Sequence, residues 1–300
     1  MTDRIEALAA RVAGGDSLSD RDIETLAAST DILTLGMLAD EARRRVHGAD
    51  TTYVRVHDVE LAAASASPAI PPAAREVRVR GAWGPIAETT AALRALVAAA
   101  GQVPVSAFSL ADLEQAADAS ELTLADILRA VRHAGVSLIA EAPLDLLARP
   151  EASLEAVRET GLDLARLTVA RNGDLASRVA VLKRAAELQH ALGWIRSFAP
   201  LPRHWDAAAP TTGYEDVRQV ALARLVADNI PSIQVDWVLY GPKLAQVALT
   251  VGADDVDGVS ASDDAPDGRR RAPIEEITRN IRAAALVPVE RDGAFRRVWA

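Results

Sequence analysis

With 300 residues, 50% of them hydrophobic, the chain has enough apolar side chains for a large core, and its length suits either one α/β barrel or two ordinary domains. A formal charge of −9 disfavours a non-specific binder of nucleic acid or anionic membrane, because both need a basic field to offset phosphate, and leaves only local basic patches open to them. No cysteine occurs, so the chain cannot hold an iron–sulfur cluster by thiolates, form a disulfide or use a thiol nucleophile.

No apolar run approaches the roughly 18 to 20 residues that span a bilayer. The first turn of the chain carries Asp3, Arg4 and Glu6 where a signal peptide needs an apolar stretch, so a cytoplasmic protein is expected. Helical periodicity covers residues 2–13 and 19–28, the second opened by Ser19 with Asp20 and Asp22 in its first turn, which suits the helix dipole. Asp31 then caps a longer helix whose apolar face is Ile32, Leu35, Leu38, Ala42 and Val46, and whose last turn carries Arg43, Arg44 and Arg45 before Gly48.

Residues 52–57 read as a first strand, followed by a proline-rich linker over 58–74. Residues 76–80 alternate as a second strand, a turn spans Gly81 to Pro85, and 86–100 form an Ala/Leu helix. A third strand at 103–107 leads into two helices, the second capped by Thr123 with Asp126 at the capping-box position. The fourth and fifth strands fall at 136–140 and 164–170. An amphipathic helix over 174–192 follows, with its face at Val179, Leu182, Ala186 and Leu188 or Gln189. After a sixth strand at 194–199, a proline-rich loop over 200–213 holds Arg203, His204 and Trp205 and is long enough to lie over a barrel mouth. A helix over 214–229 precedes an apolar run at 233–239, taken as the seventh strand, which closes on Gly241-Pro242. A helical face at Leu244, Val247, Ala248 and Val251 leads to an eighth strand after Gly252. Residues 260–272 are polar and charged, and Pro273 opens a terminal helix.

Eight strands alternating with helices predict a single parallel (β/α)8 barrel of the TIM type, placed at residues 51–285, with a helical prefix over 1–50 packed on it and a tail over 286–300. Active sites of such barrels lie at the C-terminal strand ends. There the sequence places Arg55, His57 and Asp58, Arg80 with Gly81, Glu141, Arg171 and Asn172, Arg203 and His204, Asp236 and Tyr240, and Asp257. Glu141, His204 and Asp236 are the candidates for acid–base work. Arg55, Arg80, Gly81, Arg171, Asn172, Arg203, Tyr240 and Asp257 are the candidates for ligand binding. The same residues could instead pair as a salt-bridge network, and sequence does not separate the two readings. His47, His57, His133, His190 and His204 lie at no metal-ligand spacing, so they are read as surface or capping residues and no metal site is assigned.

Three stretches carry a resemblance to a known family. LGMLADEARRRVHG followed by TYVR, AFSLADLEQAADASELTLADILRAVRHAG, and WVLYGPKLAQVALTVGADDVDG with LVPVERDG after it resemble the radical SAM aminofutalosine synthases of the futalosine route to menaquinone, over about residues 29–57, 101–135 and 211–292. The resemblance implies a radical-SAM-type barrel whose first strand is followed by a CxxxCxxC loop holding a [4Fe–4S] cluster that chelates SAM. In this chain that place holds Ala63, Ala64, Ser65, Ala66 and Ser67, with Pro68, Pro71 and Pro72 beyond them. The family's GGxHP-like turn corresponds to residues 81–85, where Gly81 and Pro85 match and Ala82 and Gly84 depart. Its PGGGAE turn corresponds to Ala140-Glu141-Ala142-Pro143, which has no glycine, and its YGHxET turn to Ala170-Arg171-Asn172-Gly173-Asp174. The expectation is a pseudoenzyme or accessory protein of menaquinone biosynthesis with neither cluster nor SAM, able to associate with itself or with a pathway enzyme. The alternative is an enzyme of non-radical mechanism acting on a carboxylated or nucleoside-like small molecule in the barrel mouth, with no nucleic-acid or membrane partner.

Overall fold

The computed structural model describes residues 2–62, 69–204, 210–264 and 272–298, with side chains from Leu8 onward. The loop that stands where the family ligates its cluster, Ala63 to Ser67 with Pro68, lies outside the described residues, as do Trp205 and residues 265–271. Strands form at β1 (Asp50–Glu60), β2 (Glu76–Arg80), β3 (Val105–Ser109), β4 (Leu138–Pro143), β5 (Asp163–Leu164), β6 (Leu167–Val169), β7 (Ser197–Pro202), β8 (Ser232–Asp236), β9 (Asp255–Ser260) and β10 (Val287–Arg291). Their order is β10-β1-β2-β3-β4-β6-β7-β8-β9, with β5 beside β4 and a further β1–β9 pairing that joins the ends. The pairs β1–β2, β2–β3, β3–β4 and β7–β8 are parallel. With helices between successive strands except from β1 to β2 and from β5 to β6, this is the expected (β/α)8 barrel. No helix among the described residues is long and apolar enough to cross a membrane.

Contacts separate the chain into one unit of Met1–Thr52, Thr168–Val256 and Thr278–Pro288, and another of Tyr53–Leu167, Asp257–Ile277 and Val289–Ala300. Residues 1–50 fall in the first unit, and β10 lies within residues 286–300.

In the first unit, α1 (Thr2–Gly14), α2 (Asp20–Ala28) and α3 (Ile32–His47) are set by the expected signals. Ser19 and Asp22 form a capping box on α2, and Asp31 accepts from the Thr34 amide at 3.1 Å to open α3. α3 buries Leu35, Leu38, Ala39 and Ala42 against α9 (Gly213–Val226), whereas Val46, expected on that face, is exposed. The close approach of α3, α9 and the turn before β9 depends on Gly252. A β-carbon there would lie 2.8 Å from Cβ of Arg224 and 3.2 Å from Cβ of Ala39. Beside it the buried Arg224 donates to the Gly252 carbonyl at 2.9 Å and pairs with Asp254, which also accepts from Ser232 Oγ and the Ile233 amide. This network ties α9 to the N-terminal end of β8, the end of a barrel strand that carries stability rather than chemistry.

The first unit also contains α8 (Leu175–Leu192) and α10 (Trp237–Leu249). Here the seventh strand is shorter than expected, because Trp237 to Tyr240 belong to α10. Asp236 caps that helix by accepting from the Leu239 amide at 2.8 Å, so the apolar run changes from strand to helix in mid-course. In the second unit, α4 (Ile86–Ala100), α5 (Leu110–Asp118), α6 (Leu124–His133) and α7 (Pro150–Glu159) alternate with β2 to β5, and the Thr123–Asp126 capping box opens α6. The fifth strand of the expectation is split into β5 and β6, with the buried Ala165 and Arg166 between the pieces. After β9, α11 (Pro273–Ala283) completes the helices.

Candidate functional site

The C-terminal ends of β6, β7 and β8 bring Asn172, Arg203, His204, Asp236 and Tyr240 into one neighbourhood of the first unit. Arg203 pairs with Asp236 at 2.7 Å, which fixes the end of β7 to the end of β8. The Tyr240 hydroxyl donates to the Pro202 carbonyl at 2.5 Å. Next to them is a cavity of about 340 Å³ whose lining includes Asn172, His204, Thr211, Asp216, Leu239 and Tyr240. Its walls are apolar at Pro202, Leu239 and Leu244, with the polar groups interspersed, as in a small-molecule pocket.

Asp216 was not among the site candidates, yet it is the acid in that cavity's lining. The residue is only 6% exposed; Oδ2 accepts from the Thr211 hydroxyl at 3.2 Å, and Oδ1 is buried with no hydrogen-bond partner. Burial pushes the Asp216 carboxyl above its ordinary range, against the smaller opposing effects of Thr211 and Arg178. Burial likewise pushes the Tyr240 phenol up, and the nearby Asp216 charge adds to that. The adjacent Arg178 directs its guanidinium to Asn172 Oδ1 at 2.9 Å and to the Gly173 carbonyl at 3.1 Å.

The remaining candidates are not in that cavity's lining, and all but Arg171 lie in the second unit. Arg55 is held by Glu290 at 2.8 Å and Asp263 at 2.7 Å. Arg80 pairs with Asp58 at 2.8 Å on an exposed edge. Gly81 adopts φ 116, so it meets a backbone requirement in the turn after β2, where Trp83 packs edge-on against Phe108 at 5.7 Å. Glu141 is half-buried in β4, and Arg171 is exposed; both have interaction partners.

Asp257 is enclosed rather than set at an open mouth. It is fully buried with Glu76, Arg78 and Arg166 in a four-membered charge cluster: Arg78 reaches Glu76 at 3.0 Å and Asp257 at 2.7 Å, and Arg166 reaches Glu76 at 3.1 Å and Asp257 at 3.3 Å. Ser106 Oγ donates a further bond to Glu76 at 2.6 Å. Burial drives the Glu76 carboxyl upward, but Arg78 and Arg166 together outweigh it and hold the group down to about 2. Two cations and two anions cancel, as a structural network requires. The signal for it was present in EVRVR, whose period of two puts Glu76 and Arg78 on one side of β2, but the sequence does not say that this side is closed. Among the described residues no group of three or more His, Cys, Asp or Glu is arranged to hold a metal ion.

Comparison with known proteins places these features. The fold is a (β/α)8 barrel shared with solved enzyme structures. The crystal structure of HydG, a maturase of the [FeFe]-hydrogenase, matches with a TM-score of 0.67 at 11% identity over 96% of this chain and 76% of that one. Methylornithine synthase (PylB) matches at 0.65 and 13% identity, over 94% and 97%. Residues 200–297 match the family model described as the CofH/MqnC C-terminal region. The aminodeoxyfutalosine synthase of Thermus thermophilus is 28% identical across 99% of this chain and 97% of its own length, and that of Streptomyces coelicolor is 32% identical over 39% and 36%. The chain, which has no cysteine, is therefore similar along its length to an aminodeoxyfutalosine synthase, and its last third is similar to the CofH/MqnC C-terminal region.

Proposed function

We propose that this chain works without a [4Fe–4S] cluster of its own, as a binding or accessory protein of the menaquinone-forming route that its sequence resemblance implies. The observation that carries the reading is the absence of cysteine from all 300 residues. A SAM-cleaving cluster is held by three soft thiolates and leaves one iron open to the cofactor; alanine and serine at 63–67 supply no such donors. The donor set does not fit the cluster, and the chemistry that depends on it has no replacement among carboxylates and hydroxyls. The loss is also distributed in a way that suits a retained scaffold. β4 runs on through Glu141 to Pro143 where the family has a glycine turn, while the capping and packing segments of α3, α6 and α9 persist. SAM is accordingly not expected to bind, and the protein is expected to act in the cytoplasm with a second copy or a pathway enzyme as partner.

Anaerobic reconstitution with iron and sulfide tests this directly. The expected result is no charge-transfer absorption and no 5′-deoxyadenosine from SAM; stoichiometric iron with SAM cleavage overturns it. Co-purification with the active synthase checks the accessory role. The cavity with Asp216 and His204 favours one second reading, a non-radical enzyme acting on a small molecule. A thermal-shift panel of SAM, adenosine, futalosine-like nucleosides and hydroxybenzoates distinguishes them, since a ligand that binds the folded state raises the midpoint by mass action.

A further inference from the structure

We infer that the cavity at the ends of β6, β7 and β8 is a binding site for a small, uncharged, planar molecule that presents an N–H or O–H donor to Asp216 Oδ1, and that it disfavours carboxylates. The inference is independent of whether the chain carries a cluster.

Three observations carry it. First, Asp216 has no structural task that explains its burial: the capping box of α9 is completed by Thr212 and Glu215, the residue before it. An ionisable oxygen that is buried and unpartnered lacks the hydrogen bond its burial requires, and the missing partner is a donor, because an ionised carboxylate only accepts. Second, the surrounding cations are committed elsewhere. Arg203 pairs with Asp236, and Arg178 donates to Asn172 and Gly173. Arg178, whose partners Asn172 and Gly173 are neutral, already acts on Asp216, so among the described residues an incoming carboxylate would have to compete with Asp216 for that one charge. The arginines that sequence suggested as carboxylate captors are engaged in the same way, Arg55 with Glu290 and Asp263, and Arg80 with Asp58. Third, the cavity holds about 340 Å³ and is walled by Leu239, Leu244 and Pro202, which suits a ring rather than a highly solvated polar ligand.

The test uses the full-length protein with three probes of matched size: phenol, its methyl ether anisole, and benzoate. Saturation-transfer NMR and thermal shift are expected to show phenol bound about tenfold more tightly than anisole, since a site built around a hydrogen bond discriminates against the analogue that lacks the donor. Benzoate is expected to bind no more tightly than anisole. Asp216→Ala should remove the preference for phenol, and Leu244→Trp, which fills the cavity and leaves the acid in place, should abolish phenol binding; circular dichroism establishes that each variant is folded. Benzoate binding as tightly as phenol, no phenol binding to the parent, or phenol binding unchanged in the folded Leu244→Trp variant would each overturn the inference.

Discussion

Asp216 and Glu76 are both buried carboxyls, and their surroundings move them in opposite directions. Burial raises Asp216, so the stability it contributes is fully present below its ordinary value of 3.8 and is lost as pH rises through the higher native value. Replacing it by Asn removes that loss. Asp216→Asn is therefore expected to be about 1 kcal/mol more stable than the parent at pH 7, with the gain closing as pH falls below the unfolded value, as measured by urea denaturation across the range. A site that gives up stability in the folded protein is what a binding group looks like when its partner is missing. Glu76 runs the other way. Its arginine neighbours lower it from 4.5 to about 2, so its contribution is present above 4.5 and is lost as pH falls through that window. Glu76→Gln leaves Asp257 alone with Arg78 and Arg166, two buried guanidiniums with one anion. It should cost about 3 to 5 kcal/mol at pH 7 and flatten the acid limb of the stability profile below pH 4.5. A mutant that retained the parental acid slope would show that Glu76 is not the group responsible.

At the level of elements, α10 shows both what sequence conveys and where it stops. Gly241 sits at φ 76 and ψ 164, a region open essentially to glycine alone, and Pro242 restarts the helix with its φ already set. A β-carbon added at Gly241 would meet no atom within 4 Å, so backbone strain rather than crowding governs its replacement. Gly241→Ala should destabilise by about 1 to 3 kcal/mol and weaken phenol binding, because Tyr240 and Leu244 flank the break and line the cavity. Denaturation and the NMR assay check the two effects separately. The break was legible as Gly-Pro, yet Trp237 to Tyr240 read as strand because a short apolar run has no period long enough to tell helix from strand. Helix starts fared better: Ser19–Asp22, Asp31 and Thr123–Asp126 cap where their spacing says, since a cap is a local bond between near neighbours. Charge partners were hidden for the converse reason. Arg78 meets Asp257 from 179 positions away, and Asp216 is perturbed by a cavity that no local pattern describes. Asn172, His204 and Tyr240 could be gathered from their places at strand ends, whereas the buried acid beside them lies on α9 and was not gathered with them.

For the whole molecule, the persistence of the barrel without thiols says which interactions hold it. HydG and methylornithine synthase share the fold at 11% and 13% identity, so the common requirement is the apolar pattern that alternates strand and helix rather than any particular set of side chains. In this chain that pattern buries Val54, Val77, Val79, Ala107, Leu138, Ile139, Leu167, Phe198, Ile233 and Val256 along the strands, with Leu93, Leu96, Ile127, Leu128, Leu182 and Leu188 on the helices that cover them. Each such Val, Leu, Ile or Phe contributes about 1.5 to 3 kcal/mol by leaving water, and nothing in this pattern calls for a metal or a disulfide. Where a metal site does carry folding energy, chelation unfolds the protein, and where a disulfide does, reduction has the same effect. Neither should occur here. The thermal midpoint is expected to shift by less than about 2 °C on adding EDTA or dithiothreitol, that is by less than about 1 kcal/mol for a chain of this size. A chelator-induced fall well beyond that would mean that a bound metal, ligated by groups other than sulfur, contributes to the fold, and the cluster-free reading would fall with it.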